Sequence, residues 1–260
     1  MSSSSSSSSS LPLQTLKIGI VGFGTFGQFL AKTMMKQGHT TRATSRTDYS
    51  QLCHQLDVAF FRDVIPFLEA DNDVILICTS ILSLSEVLNS MPLRRLKRHT
   101  LFVDVLSVKE HPRNVLLQVL PENMDVLCTH PMFGPESGKN GWKDLPLVYE
   151  KVRVRNETRM VEMSCEEHDK VAARSQFLSH SIGRILAEME IESTSMNTKS
   201  FETLVKLKES ATNDSFDLFS GLFIHNRFAQ QELMNLEQSF EKVKQRLLKK
   251  MSEQQSLSSV

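Results

Sequence analysis

The stretch that decides the fold is residues 16–27, LKIGIVGFGTFG. Leu16 to Val21 is a short apolar run of strand type, and Gly22, Gly24 and Gly27 follow it at the spacing GxGxxG. From Thr25 to Gln37 the residues Phe26, Phe29, Leu30, Thr33 and Met34 recur with helical period, and Gly38 stands where a left-handed cap would stop a helix. A glycine turn that closes a strand and opens a helix has a mechanism. The first glycine permits the tight turn, the second lets the backbone approach a pyrophosphate, and the third lets helix and strand pack closely. The helix N-terminus then holds the phosphates. Gly22, Gly24 and Gly27 therefore predict a dinucleotide site.

Working outward, further strands are predicted at Thr40–Ser45, Asp73–Thr79, Leu101–Val105 and Met124–Cys128, and helices at Leu82–Met91 and Pro112–Val119. The runs DVILICT and LFVDV are rich in β-branched residues and suit strands buried on both faces of a parallel sheet. Strands alternating with helices predict an α/β fold, a Rossmann-like doubly wound sheet, over residues 15–164. After Ser164 the periodicity is helical: Glu166–Met189, Lys199–Glu209, Ser215–Phe228 and a long charged run to Lys250. An all-helical domain for substrate binding and dimerisation is expected over 165–250, with a frayed tail at 251–260.

About 20 residues past such a turn, NAD-binding domains place an acidic side chain on the ribose. Here the second strand ends in Ser45-Arg46-Thr47. No carboxylate repels a 2′-phosphate, and Arg46 with two hydroxyls can hold one, so the expected cofactor is NADP. Asp48 lies just beyond, where Asp-Tyr-Ser has the pattern of a helix cap. Thr25 and Phe26 within the turn, and Thr79 at the end of its strand, complete the expected cofactor-binding set.

Composition narrows the function classes. Of 260 residues 40% are hydrophobic, and 30 basic side chains balance 30 acidic ones, which argues against a nucleic-acid binder. A small cluster, Arg94, Arg95, Lys97 and Arg98, has no aromatic residues interleaved and suits a solvated helix end. Cys53, Cys78, Cys128 and Cys165 are far apart in sequence without CxxC spacing, and are expected as small core residues, with no metal site. Ser2 to Ser10 form a polar tract that cannot pack a core, and residues 1–14 are expected to be disordered. The tract lacks the apolar stretch of a secretory signal and the arginines of a transit peptide, and no apolar run approaches the ~20 residues that span a bilayer. A cytoplasmic location without membrane contact is the expectation.

Three further stretches carry a resemblance. They are VDVLSVK (103–109), THPMFGPESG (129–138) and SQFLSH (175–180). With GFGTFG they resemble plant arogenate and prephenate dehydrogenases of tyrosine synthesis, in the extraplastidic subgroup, from Leu16 to about Lys250. The resemblance implies an NADP-dependent oxidoreductase that removes hydride and CO2 from arogenate to give tyrosine. The alternatives are the same chemistry on prephenate, giving 4-hydroxyphenylpyruvate, or an inactive NADP-binding paralogue. It places the catalytic roles on His130 and Ser107: a histidine of ordinary pKa near ~6.5 can take a hydroxyl proton. Substrate contacts are implied for Ser137, Gln176, His180, Lys206 and Asp214, and homodimerisation for the C-terminal helices. Gln176 and His180, four apart, share a helix face, a spacing that equally suits a capped core pair. Asp214 facing an α-ammonium would favour arogenate over its keto analogue, and Asp214 could also cap the next helix.

The chain departs from that family between the predicted strands Leu147–Val154 and Met160–Met163, where relatives carry a further helix and only Arg155 to Arg159 remain. Parallel strands cannot be joined so tightly, because a crossover needs a dozen or more residues. The two runs are therefore expected to form an antiparallel hairpin, or one of them to leave the sheet, unless the sequence derives from a skipped exon or a faulty gene model.

Overall fold

The computed structural model describes residues 15–96, 100–122, 124–150 and 159–257. The expected disordered tail 1–14, Lys97 and Arg98 of the basic cluster, and the junction 151–158 lie outside the described residues.

The first βαβ unit follows the sequence reading closely. Strand β1 (Lys17–Val21) leads through the glycine turn into α1 (Thr25–Lys36), and β2 (Thr40–Thr44) follows. Gly38 has φ +88°, and the amides of Gly38 and His39 close back on the carbonyls of Met35 and Met34 at 2.9 and 3.1 Å. That double closure is the left-handed helix stop that the sequence predicts. Three short elements were not predicted: α2 (Ser50–Gln55), β3 (Ala59–Phe61) and α3 (Val64–Glu69). A three-residue strand is too short to show a period. The amide of Ser50, the first residue of α2, donates to the carboxylate of Asp48 at 2.8 Å, while the cap position is Tyr49, whose side chain makes no capping hydrogen bond.

Strand β4 (Val74–Ile77), α4 (Leu84–Ser90), β5 (Leu101–Asp104), α5 (Glu110–Val119) and β6 (Asp125–Pro131) complete the doubly wound part. The sheet continues through β7 (Pro146–Glu150) and β8 (Arg159–Glu162) in the order β3-β2-β1-β4-β5-β6-β7-β8. Strands β1 to β6 are mutually parallel and β7 is antiparallel to β6. Side chains alternate across the sheet and both faces are buried. Ile75, Ile77 and Phe102 pack on one face with Phe67, Leu84 and Leu116, while Leu76 and Val103 pack on the other with Ile20, Phe23 and Leu30.

Strand β8 pairs parallel with β7, Leu147 opposite Met160 and Val148 opposite Val161, so the expectations of a hairpin or of a lost strand are corrected. A strand of four residues measures about 13 Å, a distance that the chain length between Glu150 and Arg159 suffices to cover.

The helical part comprises α6 (Cys165–Ala172), α7 (Leu178–Glu188), α8 (Lys199–Asn213), α9 (Phe216–Ile224) and α10 (Ala229–Leu257). Ser164, Thr198 and Ser215 cap α6, α8 and α9 by accepting from the amides of Glu167, Phe201 and Leu218, each at 3.2 Å. The predicted helix Glu166–Met189 is interrupted by a π turn at Ala173–Phe177. Phe177, in that turn, is buried in the same core cluster as Ile77 and Phe102, so the helices dock on the sheet. Helix α10 passes Lys250 and continues to Leu257, into the tail 251–260 expected to be frayed, of which 258–260 lie outside the described residues. Among the described residues no helix is long and apolar enough to cross a membrane.

Helices α7 and α8 touch through Gly183, where an added Cβ would lie 2.5 Å from the Cβ of Ala211 and 2.8 Å from the carbonyl of Leu207. Gly183→Ala must therefore push the two helices apart. Urea unfolding should show a loss of about 1–3 kcal/mol, the usual cost of overpacking; an unchanged midpoint would refute this packing.

Candidate active site

The glycine turn is built as its spacing demands. Gly22 has φ +93°, and a Cβ there would lie 2.6 Å from the carbonyl oxygen of Cys78, so no other residue fits without strain. A Cβ on Gly27 would strike the carbonyl of Gly22. Gly24 differs: a Cβ there would meet nothing within 4 Å, so open space faces the turn where a pyrophosphate would lie. Gly24 caps α1 with no side-chain hydrogen bond, and the first turn of α1 has no acidic residue. Its amides are thus available to an anion. Thr25 is exposed and Phe26 half-buried at this opening. The hydroxyl of Thr79, beside the turn at the end of β4, is buried without a partner. These residues fit a dinucleotide.

The end of β2 is tied to the turn, since the amide of Gly22 donates to the carbonyl of Thr44 at 2.9 Å. Ser45, Arg46 and Thr47 follow directly, with Arg46 and Thr47 exposed. Arg62, which the sequence reading did not single out, crosses from the end of β3 and donates to the carbonyl of Arg46 at 2.5 Å. Two guanidinium-bearing residues therefore meet at this edge.

The strand ends β5 and β6 carry the next cluster. Register pairs Asp104 with Cys128, which places Ser107 and His130 just beyond, on adjacent strand ends. His130 is buried, and its Nδ1 lies 2.7 Å from Nε2 of His168 on α6. Nδ1 of His168 lies 2.8 Å from Oδ1 of Asp169. That carboxylate also accepts from the backbone amides of Lys109 at 2.7 Å and Glu110 at 2.9 Å, and so caps α5 from another helix. A carboxylate accepts, so Nδ1 of His168 donates. In the tautomer where Nε2 of His168 carries no proton it accepts from Nδ1 of His130, and Nε2 of His130 then holds the lone pair of a base. Beside it lies a buried ion pair, Lys109 with Asp104, and the ammonium of Lys109 also donates to the carbonyl of Thr129 at 2.6 Å. Burial pushes the carboxyl of Asp104 up while Lys109 opposes it. Burial, then His168 and Lys109, hold His130 well below the ordinary histidine value. His130 is neutral at physiological pH.

A second cluster forms on the helices. Gln176 lies in the π turn and His180 on α7, and Oε1 of Gln176 and Nδ1 of His180 are both buried without a partner. Nε2 of His180 faces the carboxylate of Asp214 at 3.6 Å. Burial lowers His180, against the pull of Asp214, so this contact is no ion pair at neutral pH. The cap of α9 is Ser215, not Asp214, which leaves the Asp214 carboxylate uncommitted. Two expected substrate residues are not brought into these clusters. Lys206 stands exposed on α8, whose inward face is set by Val205 and Ala211. The hydroxyl of Ser137 is spent on its own turn, accepting from the amide of Gly134 at 3.1 Å and donating back to its carbonyl at 3.4 Å.

The cysteines are free thiols, as expected, but Cys128 and Cys165 are not apart in space. Their sulfurs and a carboxylate oxygen of Glu150 lie within 4.8 Å of one another and could ligate a soft cation. The thiol of Cys165 donates to Glu150 at 2.9 Å, and contact with Cys128, then burial, push it far up. A cleft of about 760 Å³ between α1 and the loop 135–143 shares no lining residue with either histidine cluster.

His111, held down to about 4, His130, His180 and His225 all sit below the ordinary 6.5, each chiefly through burial. The unfolded chain then binds protons first as pH falls, so stability is complete above about pH 6.5 and is lost below it. Urea-unfolding free energies should be level from pH 8 to 7 and decline between 6.5 and 5; a rise over that interval would contradict the assignment of neutral histidines.

Comparison with known proteins identifies the family and agrees with the fold. The family model "Prephenate dehydrogenase, nucleotide-binding domain" matches residues 30–147, and "TYRAAT1-like, C-terminal domain" matches 185–259. Arogenate dehydrogenase 2, chloroplastic, of Arabidopsis thaliana is 48% identical over 92% of this chain and 72% of its own length. Arogenate dehydrogenase 1, chloroplastic, of the same plant is 52% identical over 93% of this chain, which spans 40% of that relative. Among solved structures, prephenate dehydrogenase from A. aeolicus, in complex with hydroxyphenyl propionate and NAD+, superposes with a TM-score of 0.72 at 15% identity, covering 94% of each chain. Synechocystis arogenate dehydrogenase gives 0.61 at 16% identity over 91% of this chain and 93% of that one. The glycine turn, the sheet order and the two relatives together place this chain in the arogenate/prephenate dehydrogenase family of oxidoreductases.

Proposed function

We propose that the chain oxidises and decarboxylates arogenate to tyrosine with NADP+ as acceptor. The observation that carries the reading is the relay Asp169–His168–His130, which presents Nε2 of a neutral, buried histidine next to the strand end bearing Ser107. When bound, the nicotinamide supplies the acceptor for the hydride on the ring carbon that bears the hydroxyl. His130 takes the hydroxyl proton, and its imidazolium is stabilised through His168 by the Asp169 carboxylate. Ser107 orients the hydroxyl. The bond to the ring carboxylate breaks, CO2 leaves, and its electron pair completes the aromatic ring.

The choice of NADP rests on Arg46 with Ser45 and Thr47, and on Arg62 fixed against the Arg46 carbonyl. A 2′-phosphate there meets two cations, while the nearest carboxylate, Asp48, is engaged with the amide of Ser50. The choice of arogenate rests on Asp214. Its carboxylate faces a neutral His180 and forms no ion pair with Lys or Arg among the described residues, so an α-ammonium completes it and a ketone leaves it unpaired. Pairing of two copies through α10 belongs to the same proposal. Phe240, Val243 and Leu247 repeat at three- and four-residue intervals along this helix and are 55–68% exposed.

Purified protein with arogenate and NADP+ should release tyrosine and NADPH faster than it consumes prephenate. Asp214→Asn should move that ratio toward prephenate by about tenfold, and Arg46→Ala should raise the KM for NADP+ while sparing NAD+. An absence of turnover at high enzyme concentration would dismiss the activity, and an unchanged substrate ratio would dismiss Asp214. Sedimentation should give a dimer that Phe240→Glu with Leu247→Glu converts to a folded monomer. A monomeric wild type would remove α10 from the assembly.

A further inference from the structure

Three buried polar atoms without a protein partner recur at four-residue intervals: Oε1 of Gln176, Nδ1 of His180 and Nε of Arg184. That interval keeps side chains on one side of a helix. Arg184 did not stand out in the sequence. Its Nη2 donates to the main-chain carbonyl of Asp214 at 2.8 Å, and its guanidinium carbon lies 5.4 and 5.1 Å from the ring centroids of Phe216 and Phe219. The aromatic rings fix the plane of the guanidinium and shield one side of it from water. No carboxylate pairs with Arg184 among the described residues, although the carboxylate of Asp214 belongs to the very residue whose carbonyl it holds.

A guanidinium is always charged, and of the three unpartnered atoms Nε of Arg184 is the donor that calls for an anionic acceptor, while Oε1 of Gln176 is an acceptor that calls for a donor. Lys206, exposed on α8, does not supply the cation for a substrate carboxylate. Arg184 and Asp214 together present one open cation and one open anion side by side, anchored to each other through a main-chain bond. An amino-acid end group, with its ammonium and carboxylate on one carbon, has the complementary arrangement. We propose that Arg184, through its unpartnered Nε–H, forms a carboxylate subsite that grips the α-carboxylate of the substrate's side chain while Asp214 takes its ammonium. The identity of that substrate rests on the dehydrogenase reading above; the subsite itself rests on the unpartnered atoms.

The test uses three phenols that need no turnover: L-tyrosine with both charges, tyramine with the ammonium alone, and 3-(4-hydroxyphenyl)propionate with the carboxylate alone. Their affinities are measured by calorimetry on the full chain with NADP+ present. Arg184→Gln should weaken the propionate and tyrosine about tenfold or more and leave tyramine within about twofold. Asp214→Asn should do the reverse, sparing the propionate. Unchanged NADP+ affinity checks that each variant is folded, and if the Gln variant fails to fold, Arg184→Lys should still weaken the propionate and spare tyramine. Equal loss of tyramine and propionate would show that Arg184 merely holds the Asp214 loop, and would overturn the proposal. So would a wild-type chain that does not bind the propionate. A wild type with the expected binding pattern but no turnover of arogenate loses the dehydrogenase reading and keeps the subsite. Turnover with kinetics untouched by Arg184→Gln loses the subsite and keeps the reading.

Discussion

The carboxylate of Asp169 is the constraint on which the catalytic half of this molecule depends. It is fully buried, and it accepts hydrogen bonds from the side chain of His168 and from the first amides of α5. Its own main-chain carbonyl accepts from Asn226 at 2.7 Å, in the loop that follows α9. One residue thus ties the sheet-covering helix α5 to α6 and to the helical domain. A buried charge is tolerated only when fully hydrogen-bonded, so the docking of the two parts and the tautomer of the histidine relay cannot be separated. The site is set by the same bonds that hold the domains together.

Electrostatics around His130 follows from that arrangement. Lys109 supplies a positive charge in a buried pair with Asp104, and Asp169 supplies the negative end of the relay two residues removed from the base. Together with burial, the cation keeps His130 neutral before reaction. The anion is connected through His168, where it favours the imidazolium that forms afterwards. The two influences act on different protonation states, which is how a base can be both available and effective.

The helical cluster works by a different logic. Gln176, His180 and Arg184 are polar atoms held in a half-buried surface with bonds left unmade, against the usual satisfaction of buried polar groups. The π turn at Ala173–Phe177 contains Gln176 and shifts the phase of the helix before His180 and Arg184, and it also seats Phe177 in the core. Phe177 stacks on Phe219 at 5.7 Å, so the rings that back Arg184 are themselves braced by the core. Rigid apolar support beneath unpaired polar atoms is the arrangement expected of a binding surface.

Sequence alone determined the glycine turn and the alternation of strand and helix, because turn geometry and side-chain periodicity are properties of neighbouring residues. His130, Gln176, His180 and Asp214 stood out only through the resemblance of their motifs to a known family, since spacing alone suits core or capping roles equally well. The short elements α2, β3 and α3 escaped it, since a few residues cannot display a period. The parallel return of β8 escaped it because an edge strand is placed by its partner and not by its own pattern. The relay could not be read at all: His130 and His168 are 38 residues apart, and Lys109 and Asp169 are 60 apart. The pairing of Arg184 with Asp214 across two helices, and the release of Asp214 from capping by Ser215, were likewise decided only in three dimensions. Hydrogen bonds between distant segments depend on how helices dock on the sheet, and that docking is settled by the packing of the whole core.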